Sequence, residues 1–228
     1  MREFTRRSLL MLAAAGVVAA CGSDGSSESD GSSELPDIAG PETIPPREPG
    51  QLSGIVREPF PTVDAVSLPS LTDPGTEVTF RAQPGGIQVV YFGFTNCPDV
   101  CPTTMADLTV ALRILERDAP GAADLVETVV VTVDPERDLD LLPGYATSFV
   151  SNAVAAGTLD TDVLDAAGEP FGLVYDVRAL DDGTVEVDHS PFLYAVDDAG
   201  QLVLTWQFGA SPEDIAADLA ILLGRFEA

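Results

Sequence analysis

The clearest hydrophobic pattern in the chain is a pair of apolar segments, each followed by a stretch with helical spacing. Residues 88–94 and 126–133 are rich in valine and aromatic side chains, which is typical of strands buried on both faces of a sheet. Residues 103–119 and 142–154 carry apolar side chains at intervals of three and four, which predicts two helices. Together the four segments predict a right-handed βαβ crossover.

The remaining residues predict two hairpins and a last helix. Segments 174–180 and 184–188 flank an Asp-Asp-Gly turn, and segments 192–196 and 201–207 flank an Asp-Asp-Ala-Gly turn, both strong hairpin signals. A helix is predicted over residues 211–226, because a serine suited to capping its start is followed by proline and glutamate.

This order of elements predicts the fold class. A strand, helix, strand and helix followed by hairpins and a helix indicate an α/β protein with a thioredoxin-like fold, in which a central mixed sheet is flanked by helices. The chain has 228 residues, of which 45% are hydrophobic, enough for one domain with a sizeable core. We assign that domain to residues 52–228.

The N-terminus has the layout of a bacterial lipoprotein export signal. Arg6 and Arg7 stand in Thr-Arg-Arg-Ser-Leu-Leu, which resembles a twin-arginine signal. The apolar run over residues 9–20 is short for a membrane span, and it ends in Val-Ala-Ala-Cys, which resembles a lipoprotein cleavage box. We therefore predict an export signal over residues 1–21, lipidation of Cys21 and anchoring outside the cytoplasm on the cell membrane. The alternative is an ordinary secretory signal.

Residues 22–51 are predicted to be a disordered, acidic tether. They are rich in Ser, Gly, Pro, Asp and Glu, so they cannot bury enough apolar surface to offset the entropy of ordering. A flexible chain of this length reaches roughly 30 Å, which would hold the domain near membrane-bound partners.

The charge of the chain limits its partners. There are 37 acidic side chains against 11 basic ones, and the formal net charge is -26. This charge disfavours a nucleic-acid partner, because such a surface repels phosphates. Partner surfaces are expected to be basic or uncharged.

Cys97 and Cys101 are candidate chemical groups, because they stand four positions apart where a predicted buried strand turns into a helix. Free N–H groups and the dipole at a helix N-terminus favour anions, so we expect the thiolates to form more easily than in a free cysteine. Thiolates serve redox exchange and metal binding equally well. A purely structural disulfide is disfavoured, since closing so short a loop adds little stability.

His189 is the only histidine of the chain, in Val-Asp-His-Ser-Pro at the start of an apolar strand. A lone histidine is usually a polar loop residue. In a thioredoxin-like sheet, however, the strand that begins here lies beside the cysteine strand, so His189 can face the thiols. Two thiolates and an imidazole suit Cu(I) and, with an added oxygen ligand, Cu(II). Zinc would normally require a fourth protein ligand.

Three segments together resemble the signatures of the Sco/SenC family. They are Phe-Gly-Phe-Thr-Asn-Cys-Pro-Asp-Val-Cys-Pro-Thr-Thr at residues 92–104, Val-Thr-Val-Asp-Pro-Glu-Arg-Asp at 131–138 and Asp-His-Ser at 188–190. The resemblance covers the chain from about residue 54 onward. It implies a copper-binding assembly factor for the binuclear copper centre of cytochrome c oxidase, with thiol-disulfide activity on the same cysteines.

The resemblance also implies roles for particular residues. Cys97, Cys101 and His189 would be the copper ligands, and Asp134 and Asp188 would lie near the site and tune it. The implied partners are the copper-centre subunit of the oxidase and a periplasmic copper donor or thiol reductant. Both aspartates have simpler interpretations, Asp134 as a turn former before proline and Asp188 as a polar residue at a strand end.

Three other functions remain open from the sequence. The chain could be a thiol-disulfide reductase that keeps the acceptor's cysteines reduced, which would need the thiols more than His189. It could be a peroxidase of the peroxiredoxin or glutathione-peroxidase type, although a second cysteine four residues away and the histidine loop disfavour this. A passive binding module without chemistry is disfavoured by the intact set of two thiols and one histidine.

Overall fold

A computed structural model describes residues 50–224 of the chain. The predicted export signal, the lipidation of Cys21 and nearly all of the predicted tether therefore lie outside the described residues. Within residues 50–224, none of the helices combines the length and the apolar character needed to cross a membrane.

The described residues form nine strands and five α-helices. The strands are β1 (Ser67–Pro69), β2 (Glu77–Thr79), β3 (Ile87–Gly93), β4 (Val126–Thr132), β5 (Val154–Ala156), β6 (Tyr175–Ala179), β7 (Val185–His189), β8 (Leu193–Val196) and β9 (Leu202–Trp206). The helices are α1 (Val100–Asp118), α2 (Pro135–Asp138), α3 (Leu142–Phe149), α4 (Thr161–Gly168) and α5 (Pro212–Gly224).

The central sheet has five strands in the order β5, β4, β3, β8, β9. β3 pairs in parallel with β4 and antiparallel with β8, so the sheet is mixed. Every residue of β3 is buried, as its continuous apolar sequence predicts. The predicted thioredoxin-like α/β fold is confirmed, and so is the prediction that the strand after the histidine loop lies beside the cysteine strand.

Alternate residues of β3 separate the two faces of this sheet. Tyr91 faces α1, which packs closely with α5. Phe92 points to the opposite face, where it belongs to a cluster of aromatic rings whose centroids lie 5.1 to 6.3 Å apart. The other members of that cluster are Phe80, Phe171 and Tyr194. Consequently the chemistry of the cysteine loop lies on the Tyr91 face.

The segment 142–154 differs from its prediction as a single helix. α3 ends at Phe149, and residues 154–156 form β5, a third parallel strand at the sheet edge. The Val-Ala-Ala sequence of β5 is too short and too rich in alanine for periodicity to distinguish strand from helix. α4 was not predicted either, although Asp160 caps it by accepting the Val163 N–H at 3.3 Å.

Both predicted hairpins form, but they occupy different sheets. β8 and β9 belong to the central sheet, whereas β6 and β7 make a separate two-stranded sheet. The predicted cap of the last helix is confirmed, since Ser211 Oγ accepts the Asp214 N–H at 3.1 Å. The predicted end of that helix at residue 226 lies outside the described residues.

Asp218, a fully buried carboxylate on α5, joins the start of the domain to its core. It accepts hydrogen bonds from the Ser53 N–H at 2.9 Å, the Ser53 hydroxyl at 2.5 Å and the Gly54 N–H at 3.0 Å. It also accepts the indole N–H of Trp206 at 2.8 Å. The Asp218 side chain thus holds Ser53 and Gly54, near the point where the predicted tether meets the domain, and backbone hydrogen bonds to Thr205 hold the next residue, Ile55.

Candidate metal and thiol site

The two cysteines of the site lie where β3 gives way to α1. The helix begins at Val100, ahead of its predicted start, so Cys101 stands in its first turn and Cys97 in the loop before it. The Cys101 backbone N–H donates to Cys97 Sγ at 3.2 Å, which satisfies one of the N–H groups left unpaired at a helix start. Both cysteines are free thiols; Cys97 is partly exposed and Cys101 is buried.

His189 is brought to the buried thiol. It ends β7, rather than starting the next strand as predicted, and its Nε2 lies 3.4 Å from Cys101 Sγ. Its Nδ1 lies 3.1 Å from the Ser190 carbonyl oxygen. Because a carbonyl can only accept, Nδ1 carries the proton and donates it there, and the lone pair of Nε2 faces the sulfur. The Cys101 S–H can donate to Nε2, or a metal ion can take the place of that proton.

This spacing fits a shared metal ion. Metal bonds of about 2.3 Å to sulfur and about 2.0 Å to nitrogen, at trigonal or tetrahedral angles, place the two donor atoms about 3.5 to 3.7 Å apart. Within residues 50–224, however, no three His, Cys, Asp or Glu side chains are already arranged to hold one ion together. Cys101 and His189 are in place, and Cys97 would have to turn towards them.

The expectation of an easily formed thiolate is wrong for Cys101. Burial raises the pKa of the Cys101 thiol to about 12, and the nearby Tyr91 hydroxyl and a backbone hydrogen bond at Phe94 only partly oppose this. Desolvation therefore outweighs the helix N-terminus at this position. Burial also lowers the pKa of His189, which favours the neutral imidazole that a metal requires.

Aromatic rings hold the imidazole in place. The ring centroids of Phe94 and Tyr91 lie 5.8 and 6.0 Å from that of His189, both in edge-to-face contact. Beside them a surface groove of about 260 Å³ opens to solvent. Its lining consists of Phe94, Cys97, Pro98, Asp99, Val100, Val187, Asp188, His189 and Pro191. Both Cys97 and His189 can therefore be reached by a partner.

Among residues 50–224, neither aspartate implied by the family resemblance forms a hydrogen bond to a cysteine sulfur or to the His189 imidazole. Asp134 is buried and forms an ion pair with Arg137. Asp188 is exposed at the rim of the groove and accepts from Arg178 Nη2 at 2.8 Å. Each carboxylate is held by an arginine, so each has a structural partner of its own.

Sequence reasoning missed Asp138. Its carboxylate is fully buried and accepts the Thr95 N–H at 2.9 Å, the Thr95 hydroxyl at 2.5 Å and the Thr132 hydroxyl at 2.9 Å. It thereby ties the loop that carries Cys97 to the end of β4. The only sequence signal was its place at the end of the second family motif.

The fold and site together define a thioredoxin-like domain with a dithiol and a histidine at the strand-to-helix turn. The chain belongs to the SCO1/SenC family, whose family model matches residues 70–224. It is 30% identical over 135 residues to an SCO2-like protein of Rickettsia prowazekii, which covers 58% of this chain and 63% of that relative.

Two solved structures show the same fold. The copper-bound ScoI of Bradyrhizobium japonicum matches with a TM-score of 0.57 and 28% identity, over 68% of this chain and 95% of that one. Apo Sco1 of Thermus thermophilus matches with a TM-score of 0.58 and 28% identity, over 77% of this chain and 96% of that one. The match therefore extends across nearly the whole of each of the two solved chains.

Proposed function

We propose that this protein binds copper through Cys97, Cys101 and His189 and delivers it to the binuclear copper centre of cytochrome c oxidase. The observation that carries the proposal is the 3.4 Å separation of Cys101 Sγ from the unprotonated Nε2 of His189. Thiolate and imidazole donors favour Cu(I), and an added oxygen ligand would suit Cu(II). Membership of the SCO1/SenC family and the copper-bound relative from Bradyrhizobium japonicum support the choice of metal.

The chain's own groups prepare this site for transfer. The hydrogen bond from His189 Nδ1 to Ser190 fixes the tautomer and the direction of Nε2. The buried position of Cys101 keeps one sulfur away from water, while Cys97 lies at the groove. A copper acceptor that entered the groove would meet Cys97 and His189 before Cys101, so ligands could be exchanged one at a time.

The same cysteines support a second, coupled role as a thiol-disulfide reductase. Cys97 is favoured as the attacking thiol for two reasons. It is partly exposed, and the Cys101 N–H is positioned to stabilise negative charge on its sulfur. Cys97 would attack a partner disulfide and release one partner thiolate. Cys101 would then attack Cys97 Sγ, which forms the internal disulfide and releases the second partner thiolate.

We further propose that residues 1–21 direct export, by the twin-arginine route, and that the lipidated Cys21 anchors the protein to the outer side of the cell membrane. The tether of residues 22–51 would keep the groove close to a membrane-bound oxidase subunit. The acidic composition of the chain favours a copper donor, thiol reductant or acceptor with a basic or uncharged contact surface.

The copper site is tested with His189→Ala. Loss of the imidazole leaves two donors, so copper affinity is expected to fall by at least about 100-fold relative to the wild type. The measurement is a competition titration of the reduced protein with a Cu(I) chelator. Asp188→Asn is the matched control, because Asp188 is the adjacent residue and its carboxylate is held by Arg178. Equal affinity in His189→Ala and wild type would contradict the three-ligand site.

The two roles are separated by complementation of oxidase assembly in cells that lack this protein. If copper delivery dominates, His189→Ala and Cys97→Ser should both fail to restore oxidase activity. Restoration by His189→Ala alone would assign the main role to thiol reduction, since only the sulfurs take part in that reaction.

A further inference from the structure

Tyr91 presents a buried hydroxyl that the function proposed above does not use. The side chain is fully buried in the middle sheet strand, and its hydroxyl has no hydrogen-bond partner of normal geometry among residues 50–224. Burial raises the pKa of this phenol, so it remains protonated and able to donate. Buried hydroxyls usually have a partner, so the Tyr91 hydroxyl is available to donate to a group that joins the site.

The position of Tyr91 directs this hydroxyl at the site. Its ring contacts the His189 ring edge to face, with the centroids 6.0 Å apart. Cys101, in the first turn of the helix that Tyr91 faces, has its Sγ 3.4 Å from Nε2 of the same imidazole. Tyr91 thus contacts one proposed ligand, His189, and faces the helix that carries another, Cys101.

Gly93 keeps the Tyr91 ring in this position. A Cβ atom on Gly93 would lie 2.6 Å from Tyr91 Cε1, closer than any real contact. The glycine of the Phe-Gly-Phe-Thr segment therefore leaves room for the tyrosine ring of the same strand. This close approach explains why a residue without a side chain occupies the end of a fully buried strand.

A copper ion bound through Cys101 would provide an acceptor for this hydroxyl. A thiol sulfur is a weak hydrogen-bond acceptor. A thiolate is a strong, charged acceptor for a phenol O–H. When copper replaces the proton, the sulfur becomes the partner that the hydroxyl lacks.

We propose that Tyr91 is a positioning residue whose hydroxyl donates a hydrogen bond to the copper-bound thiolate of Cys101. This rests on the copper-binding function proposed above. The bond would hold Cys101 Sγ and the His189 ring in register from the sheet side of the site. It would also withdraw electron density from the sulfur, as hydrogen bonds to metal-bound sulfur do.

A second buried tyrosine and a buried threonine serve as comparisons. Tyr194 also has a buried hydroxyl without a hydrogen-bond partner in the described part of the chain, but its register opposite Val90 places it on the other face of the sheet, against Phe92. Tyr194→Phe is therefore a matched control for the loss of a buried hydroxyl. Thr104 is a second neighbour of the Tyr91 hydroxyl, and its own hydroxyl donates to the Val100 carbonyl at 2.8 Å.

The test uses the full-length protein carrying Tyr91→Phe, Tyr194→Phe or Thr104→Val, each with reduced cysteines. Affinity is measured by competition with a Cu(I) chelator, and the thiolate-to-Cu(II) charge-transfer band is recorded by absorption. Tyr91→Phe should weaken copper binding by about 10- to 100-fold and shift the band to longer wavelength. Tyr194→Phe and Thr104→Val should match wild type in both measurements.

The outcomes separate this inference from the function on which it rests. Absence of copper binding in wild type would overturn the copper-binding function itself. Wild-type affinity and an unshifted band in Tyr91→Phe would overturn only the role of Tyr91. An equal loss in Tyr194→Phe would assign the effect to general packing, and an equal loss in Thr104→Val would show that the hydroxyl acts through Thr104.

Discussion

Asp218→Ala is expected to lower the free energy of unfolding by about 3 to 5 kcal/mol. The substitution removes the acceptor of the Ser53 and Gly54 N–H groups, the Ser53 hydroxyl and the Trp206 indole N–H. The largest part of this loss is expected from the indole N–H, because Trp206 is buried and a buried donor left without a partner carries the full free-energy cost of its desolvation. Most surface substitutions change stability far less.

Urea denaturation of the Asp218→Ala protein, followed by circular dichroism and by Trp206 fluorescence, provides the measurement. Trp206 is the only tryptophan of the chain, so its signal reports on the neighbourhood of Asp218 directly. Glu213→Ala is the control, because it removes an exposed carboxylate from the same helix. A loss of less than about 1 kcal/mol in Asp218→Ala, or an equal loss in both variants, would show that the four hydrogen bonds do not hold the domain's start.

Asp138→Ala is expected to destabilise the protein by about 2 to 4 kcal/mol and to weaken copper binding as well. The carboxylate is fully buried and accepts hydrogen bonds from Thr95 and Thr132, whereas the neighbouring Arg137 is paired with Asp134. Thr95 stands two residues before Cys97. Releasing Thr95 frees the loop that must bring Cys97 to the metal.

Asp138→Asn should recover more than half of the loss in Asp138→Ala. An amide oxygen can still accept the Thr95 N–H and the Thr132 hydroxyl, and the amide N–H₂ can donate to a turned Thr95 hydroxyl. Urea denaturation and Cu(I) competition are measured on both variants, with the exposed Glu136→Ala as a control from the same helical turn. Stable protein with unchanged copper affinity in Asp138→Ala would refute the link between Asp138 and the loop.

The sequence alone determined the elements whose signals are local. Segments 88–94 and 126–133 form buried strands, both hairpins form, and Ser211 caps the last helix. The placement of Cys97 and Cys101 at a strand-to-helix turn could also be predicted, because neighbouring residues carry the signals for the strand, the turn and the helix start. β5 was not predicted, since a sequence of three small apolar residues fits a strand and a helix equally well.

Only the tertiary structure decided how the site is built. The 3.4 Å contact between Cys101 and His189 joins residues far apart in the chain, and it depends on where β7 ends and how the loop to β8 runs. Burial raises the pKa of the Cys101 thiol, whereas the helix N-terminus was expected to lower it. Desolvation depends on everything packed around a group and not only on its neighbours in sequence. For the same reason the buried hydroxyl of Tyr91 could not be identified from sequence.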